Sequence, residues 1–269
     1  MRTVLRELLY GPLLVDHIDF QAQGHTPLDF NLAGNRLQVE LPLPFSKDMP
    51  PTKLTPDFDL QDPQAFGDAR KRALLKVIWD IPRTRVWQPD YGSVVMTLWV
   101  QKNPDPRRFD IFKRDELILA VQENLKSDYD EYNEKTWEEG LAAGRLSIDV
   151  GDDLISSCRD TDEYITDHRF NHDAWIRHII VGIETHSIFC APVGDEHYIS
   201  VDFEFMPNTG LFAAEFASMC DSFTERVMDS VHIERGKDQE RGLALDKGIT
   251  VDADQAGQST IMPEHAPDT

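Results

Sequence analysis

The sequence predicts an α+β protein: a twisted antiparallel sheet, arranged as a meander, with amphipathic helices packed on it. Three observations lead there. Tyr198-Ile199-Ser200-Val201-Asp202-Phe203-Glu204-Phe205 alternates without a break, with Ile199, Val201, Phe203 and Phe205 on one side and Ser200, Asp202 and Glu204 on the other. That is the period of a strand with one face in a core and one in water. Two apolar runs rich in β-branched residues precede it, over 175–183 and 185–191, and Val193-Gly194-Asp195-Glu196 supplies a turn. After Pro207-Asn208-Thr209-Gly210 the spacing becomes that of a helix, through Phe212, Phe216, Met219, Phe223, Val227 and Val231.

The rest of the chain follows in order. Residues 1–20 read as a short helix to Tyr10, a break at Gly11-Pro12 and an extended stretch. Their apolar patch (Leu8, Leu9, Leu13, Leu14, Val15) is too short for a membrane span and lacks a small-residue cleavage site. Gly34-Asn35 separates 30–32 from 36–41, a hairpin with Leu37, Val39 and Leu41 on one face. Pro42, Pro44, Pro50, Pro51 and Pro56 make 42–65 a long surface loop, a crossover with a partner-binding arm as the alternative. Residues 68–79 have helical spacing, with Ala69, Ala73, Leu74, Val77 and Ile78 on one face and Arg70, Lys71, Arg72 and Lys76 outside it.

Residues 94–100 form a near-continuous apolar run, expected to be a central strand buried on both faces. The longest helix is expected over 109–137, with Ile111, Phe112, Leu117, Ile118, Val121, Leu125 and Tyr129 as its apolar stripe. Its second half, 128–134, is acidic and aromatic. A short strand follows at 146–150, then an acidic segment at 151–173. We expect one α+β domain over 1–235 and a weakly ordered acidic tail over 236–269.

Charge sets the expectation for partners. Asp plus Glu is 48 against 27 Lys plus Arg, a net charge of −21. Such a chain repels nucleic acid and anionic membranes and favours a basic protein as partner, although solubility alone is an adequate reason for the charge. Cys158, Cys190 and Cys220 are an odd, widely spaced set without a Cys-x-x-Cys, which fits a reducing compartment and a cytoplasmic protein. Cys190 and Cys220 are expected to be small core residues.

No residue pattern specifies a reaction. His168 and His172 are four apart and would share a face on a helix, beside Asp167 and Asp173, but Asn171-His172-Asp173 has turn chemistry. His186 and His197 fall at the edges of the meander, in places where they would face each other. Asp160-Thr161-Asp162 opens like a calcium loop, yet Ile165 and Asn171 stand where the glycine and closing glutamate are needed. There is no nucleophile elbow, phosphate loop or dinucleotide fingerprint. Paired carboxylates for glycoside hydrolysis are undiscriminating among so many acids. We therefore assign no catalytic residue, cofactor or metal. Trp175 heads the meander, where it either closes the core or anchors an interface.

The element order resembles the PsbP-like/DcrB-like superfamily. The quoted features are the turn into Arg36-Leu37-Gln38-Val39-Glu40-Leu41-Pro42, the strand at 94–100, the long helix and the short strand at 146–150. They continue with the Trp-led strand, Tyr198 to Phe205, and a helix ending Met228-Asp229-Ser230-Val231-His232-Ile233. The likeness covers roughly 28–235 and departs from the compact versions at 42–65 and 151–173. It implies a twisted antiparallel sheet with helices packed on it, and its bacterial relatives include adaptor chaperones for type VI secretion effectors. Acidic proteins of this size also resemble immunity proteins encoded beside secreted toxins. Our expectation is a non-enzymatic immunity protein that neutralises a cognate toxin or effector with a basic surface, without nucleic acid or membrane as partner. The alternatives are a type VI adaptor, and a small-ligand-binding protein or hydrolase. The residues expected to meet a protein partner are Asp128, Asp130, Glu131, Glu134, Asp152, Asp153, Asp160, Asp162, Glu163 and Trp175.

Overall fold

The computed structural model describes residues 25–32, 34–43, 51–54, 58–60, 62, 64–67, 69–81, 91–144, 165–181, 185–208, 216–218 and 220–236. Their strands are β1 (His25–Leu32), β2 (Asn35–Pro42), β3 (Thr52–Lys53), β4 (Lys71–Ile81) and β5 (Gly92–Lys102). Helix α1 (Arg114–Ala142) separates these from β6 (Ile165–Phe170), β7 (Asp173–Val181), β8 (Thr185–Pro192) and β9 (His197–Pro207). Helix α2 (Asp221–Met228) and β10 (His232–Glu234) follow.

The predicted α+β class holds in its coarse form, and the strands are antiparallel throughout. A seven-stranded sheet has the order β3-β4-β5-β9-β8-β7-β6, and a three-stranded sheet the order β1-β2-β10. The meander is the run β6 to β9, each strand bonded to the next. The β1–β2 hairpin stands as expected: Leu32 pairs with Asn35, and Gly34 takes φ +91° between them, which only glycine adopts without strain. Asn35 is more than a turn residue. It is buried, and its amide donates to the Val193 carbonyl (3.1 Å) while its Oδ1 accepts from the Gly236 N–H (3.0 Å), tying the small sheet to the β8–β9 turn.

Alternation places two cores on opposite faces of the large sheet. On one face Trp175, Phe189, Val201, Phe203 and Phe205 join Met96 and Trp79, and the small sheet and α2 cover them with Phe30, Leu37, Val39, Phe223 and Val227. Cys220 lies in this core. On the other face Ala174, Ile176, Ile188, Cys190 and Tyr198 pack against Leu117, Ala120 and Val121 of α1. Each large side chain buried this way contributes roughly 1.5–3 kcal/mol. Trp79 Nε1 also donates to the Pro42 carbonyl at 3.0 Å, a polar tie between the sheets.

Several expectations need correction. Residues 68–79 are not a helix; most of them belong to β4. The register shifts between Ala73 and Leu75, so Leu74 and Leu75 both enter the core, and this bulge spaces the apolar residues like a helix. The polar side of β9 does not simply face water, because Ser200 is fully buried and accepts a hydrogen bond from Gln101 Nε2. The loop 42–65 contains the edge strand β3 and sends Phe58 into the core beside Phe66, ring centroids 5.0 Å apart. Helical spacing over 212–231 is realised at 216–218 and in α2, and the chain is back in a strand by His232. The proposals for 1–20, 146–150 and the tail beyond 236 lie outside the described residues.

Candidate functional site

Helix α1 carries the acidic positions, and its path decides what they can do. Near its start Arg114 Nε meets Asp167 Oδ1 of β6 at 2.7 Å. Within the next two turns, Leu117, Ala120 and Val121 lie over β7 and β8. Asn124 Nδ2 then donates to the Tyr198 hydroxyl of β9 (2.8 Å) and the Lys102 carbonyl of β5 (2.9 Å). Asp128 finally pairs with Lys71 of β4. From Arg114 to Asp128 a helix rises about 21 Å. Crossing from β6 to β4 takes five strand spacings, about 24 Å. The first half of α1 therefore spans the sheet strand by strand, and its second half runs on past β4.

That second half has an acidic side. Asp130, Glu131, Glu134, Glu138 and Glu139 are exposed, while Tyr129, Asn133 and Thr136 are half-buried and Gly140 is buried along the opposite side. Asp130, Glu134 and Glu138 recur every four residues, so like charges stack along one edge, each pair unfavourable by a few tenths of a kcal/mol in an isolated helix. The last turn contains no basic residue, which leaves Glu138 and Glu139 at the negative end of the helix dipole. Lys135 reaches Glu139 at 3.8 Å and offers only partial relief. Between the carboxylates stand Tyr132, Trp137 and Leu141, exposed by 48%, 38% and 45%, large apolar groups left in water. A surface strained by its own charge and carrying exposed aromatics is suited to a cationic protein.

The expected partner residues thus divide. Asp130, Glu131 and Glu134 sit together on this helix, with Asp128 at its root already paired to Lys71. Asp152, Asp153, Asp160, Asp162 and Glu163 lie outside the described residues. Trp175 is a correction: it is 0% exposed in the inter-sheet core and offers no surface to a partner. Glu138, Glu139 and Trp137 were legible as residue types, but their membership of the surface required knowing where α1 leaves the sheet.

The histidines hold structural positions. His168 lies in β6 rather than on a helix, stacked with Phe170 (5.7 Å) and edge-on to Phe189 (5.5 Å). His172 stands in the β6–β7 turn, where Asn171 and His172 take φ +46° and +72°, so the two histidines share no helix face. His186 Nδ1 is 3.0 Å from Asp202 Oδ1, whereas His197 stacks on Phe66; the two do not face each other. Burial, then the nearby Arg114, pushes the buried His178 down to about 4, and burial with Lys102 does the same to His197. Among the described residues no three His, Cys, Asp or Glu side chains are grouped to hold a metal ion.

One cleft escaped the sequence reading. It has a volume of about 480 Å³ and brings together Asp29, Gln38, Glu40, His172, Asp229, Ser230 and His232. These residues come from four separate segments with no telling spacing. Hydrogen bonds from Gln38 and Arg36 hold the Asp29 carboxyl below its usual range, which keeps it charged rather than poised to give up a proton. Ser230 Oγ is committed to the backbone of β2, accepting from the Glu40 N–H (3.2 Å) and donating to the Glu40 carbonyl (2.8 Å). This arrangement lacks an activated nucleophile. No protein-family model, no curated protein and no solved structure matches the chain, so its surfaces are interpreted from their own chemistry.

Proposed function

We propose that the protein is a non-enzymatic acidic binding protein that neutralises a cognate secreted bacterial toxin. The observation that supports this most is the exposed row Asp130, Glu134 and Glu138 on the second half of α1, flanked by Glu131, Glu139, Tyr132 and Trp137. Carboxylates that repel one another in the free protein gain most when a basic surface arrives. They also steer the encounter, and the aromatics then slow dissociation. A toxin whose cleft is basic, as for a nucleic-acid substrate, fits such a surface. The adaptor alternative calls for an apolar trough to hold an effector helix, whereas the cleft beside β1 and β2 mixes Pro27, Leu28 and Val39 with charged and polar groups. The proposed kinship with PsbP-like and DcrB-like proteins rests on element order and gives no residue a role.

The experiment pairs the protein with the product of the adjacent gene. Expression of that product alone should arrest growth, and co-expression should restore it. Asp130→Lys/Glu134→Lys/Glu138→Lys should abolish rescue and binding while leaving the circular dichroism spectrum unchanged. Equal rescue by the triple variant would remove α1 from the interface. Absence of a stoichiometric partner, together with turnover of a small molecule, would remove the proposal altogether.

A further inference from the structure

The two ends of the seven-stranded sheet differ. One end is β3, two residues long, too short to template another strand. The other is β6, six residues long, and among the described residues no strand pairs with its outer edge. A bare edge of this length is a ready site for a further strand unless something blocks it.

The sequence of β6 is Ile165-Thr166-Asp167-His168-Arg169-Phe170. Asp167 faces the α1 side, where Arg114 Nε holds its Oδ1 at 2.7 Å and leaves Oδ2 over. Arg169, two residues on, shares that face; it is exposed and has no ion pair among the described residues. Thr166, His168 and Phe170 face the other way, with Thr166 Oγ1 2.9 Å from His168 Nε2 and His168 stacked with Phe170.

We infer that two copies of the protein associate edge to edge through β6, antiparallel, about a two-fold axis that passes at His168. An axis perpendicular to the sheet keeps every side chain on its own face, so each residue must meet one of the same face. Centring on His168 sets Asp167 of each copy opposite Arg169 of the other, and Thr166 opposite Phe170. Centring one residue earlier sets Asp167 against Asp167 and leaves both arginines without an acid. Charge therefore selects the first register, because opposite charges directly across a ladder stabilise it and like charges oppose it. The two imidazoles that meet on the axis tolerate each other. Burial and Arg177 of β7 outweigh Asp167 and the Asp221 carboxylate of α2, holding His168 below its ordinary value and so uncharged at neutral pH.

Two charge variants test the register as well as the association. Arg169→Asp gives each copy two acids on this edge, and Asp167→Arg gives each copy two arginines. Sedimentation at about 0.15 M salt, where the repulsion between two copies of net charge −21 is screened to about 8 Å, should give a dimer for the unmodified protein. Each variant alone should be monomeric, with an unchanged circular dichroism spectrum, and an equimolar mixture of the two should return to the dimer mass. An unmodified protein that stays monomeric at high concentration overturns the inference. So does a dimer untouched by Arg169→Asp, or a mixture that fails to reassociate.

Discussion

Tyr198 shows how much a single hydroxyl can organise where water is excluded. It donates to Gln101 Oε1 (2.9 Å) and accepts from Asn124 Nδ2 (2.8 Å), and Gln101 turns its amide nitrogen to Ser200 Oγ. Burial pushes the phenol well above its usual range, so it stays protonated and can donate. Tyr198→Phe keeps the ring and strands the Gln101 oxygen in the core. We expect a loss of about 1–3 kcal/mol in urea unfolding, with the mid-point shifted and the slope unchanged. His178 makes a second prediction at this scale. Its folded value of about 4 lies below the ordinary 6.5, so between those values the unfolded chain binds the proton and the folded protein does not. Stability should be intact above about pH 6.5 and fall by about 1.4 kcal/mol per pH unit for this histidine as the pH drops toward 4. His197 contributes over the same window, so His178→Phe should lessen the slope by that amount and leave the rest; a profile identical to that of the unmodified protein would show that His178 does not contribute.

At the scale of elements, α1 joins two helices of different purpose. Its first half is fixed by apolar burial and by Asn124; its second half tolerates Asp130, Glu134 and Glu138 in a row that works against helix stability. Glu134→Gln/Glu138→Gln should therefore raise the thermal mid-point, by about 1–2 °C, while weakening any complex with a basic protein. A fall in the mid-point would mean that these carboxylates serve the fold. The strands show what a sequence discloses. β9 was legible because Ile199, Val201, Phe203 and Phe205 alternate strictly, and so was the β1–β2 hairpin. β4 was not, because its bulge sends two consecutive leucines inward and breaks the two-residue period. The acidity of 128–134 was plain from composition, but that Asp128 ends up paired with Lys71, 57 positions away, was not. Trp175 was ambiguous for a related reason: an aromatic at the head of a strand looks the same whether or not a second sheet lies over it.

For the whole molecule, the decisive feature is that the large sheet is covered on both sides by unrelated means. Among the described residues the small sheet and α2 close one face, and α1, with Phe109 and Ile111 just before it, covers the other. The polar side of β9 became partly interior for this reason, which no local alternation foretells. Among the described residues no helix is long and apolar enough to cross a membrane. Net charge acts at this scale too, since a surplus of acids distributed over the surface favours expansion and is weakened by salt.

The two buried thiols give this layering a clock. Cys190 lies beneath α1 and Cys220 between the sheets, both unbonded, and burial pushes both thiols upward, Cys220 to about 12. Neither sulfur is reactive in place, so alkylation at each reports only the opening of its own layer. If α1 lifts away before the sheets part, Cys190 will be modified in mild denaturant while Cys220 remains protected. Equal rates would mean that the two faces of the sheet come apart in one event, and that the helix carrying the acidic row is held as firmly as the core itself.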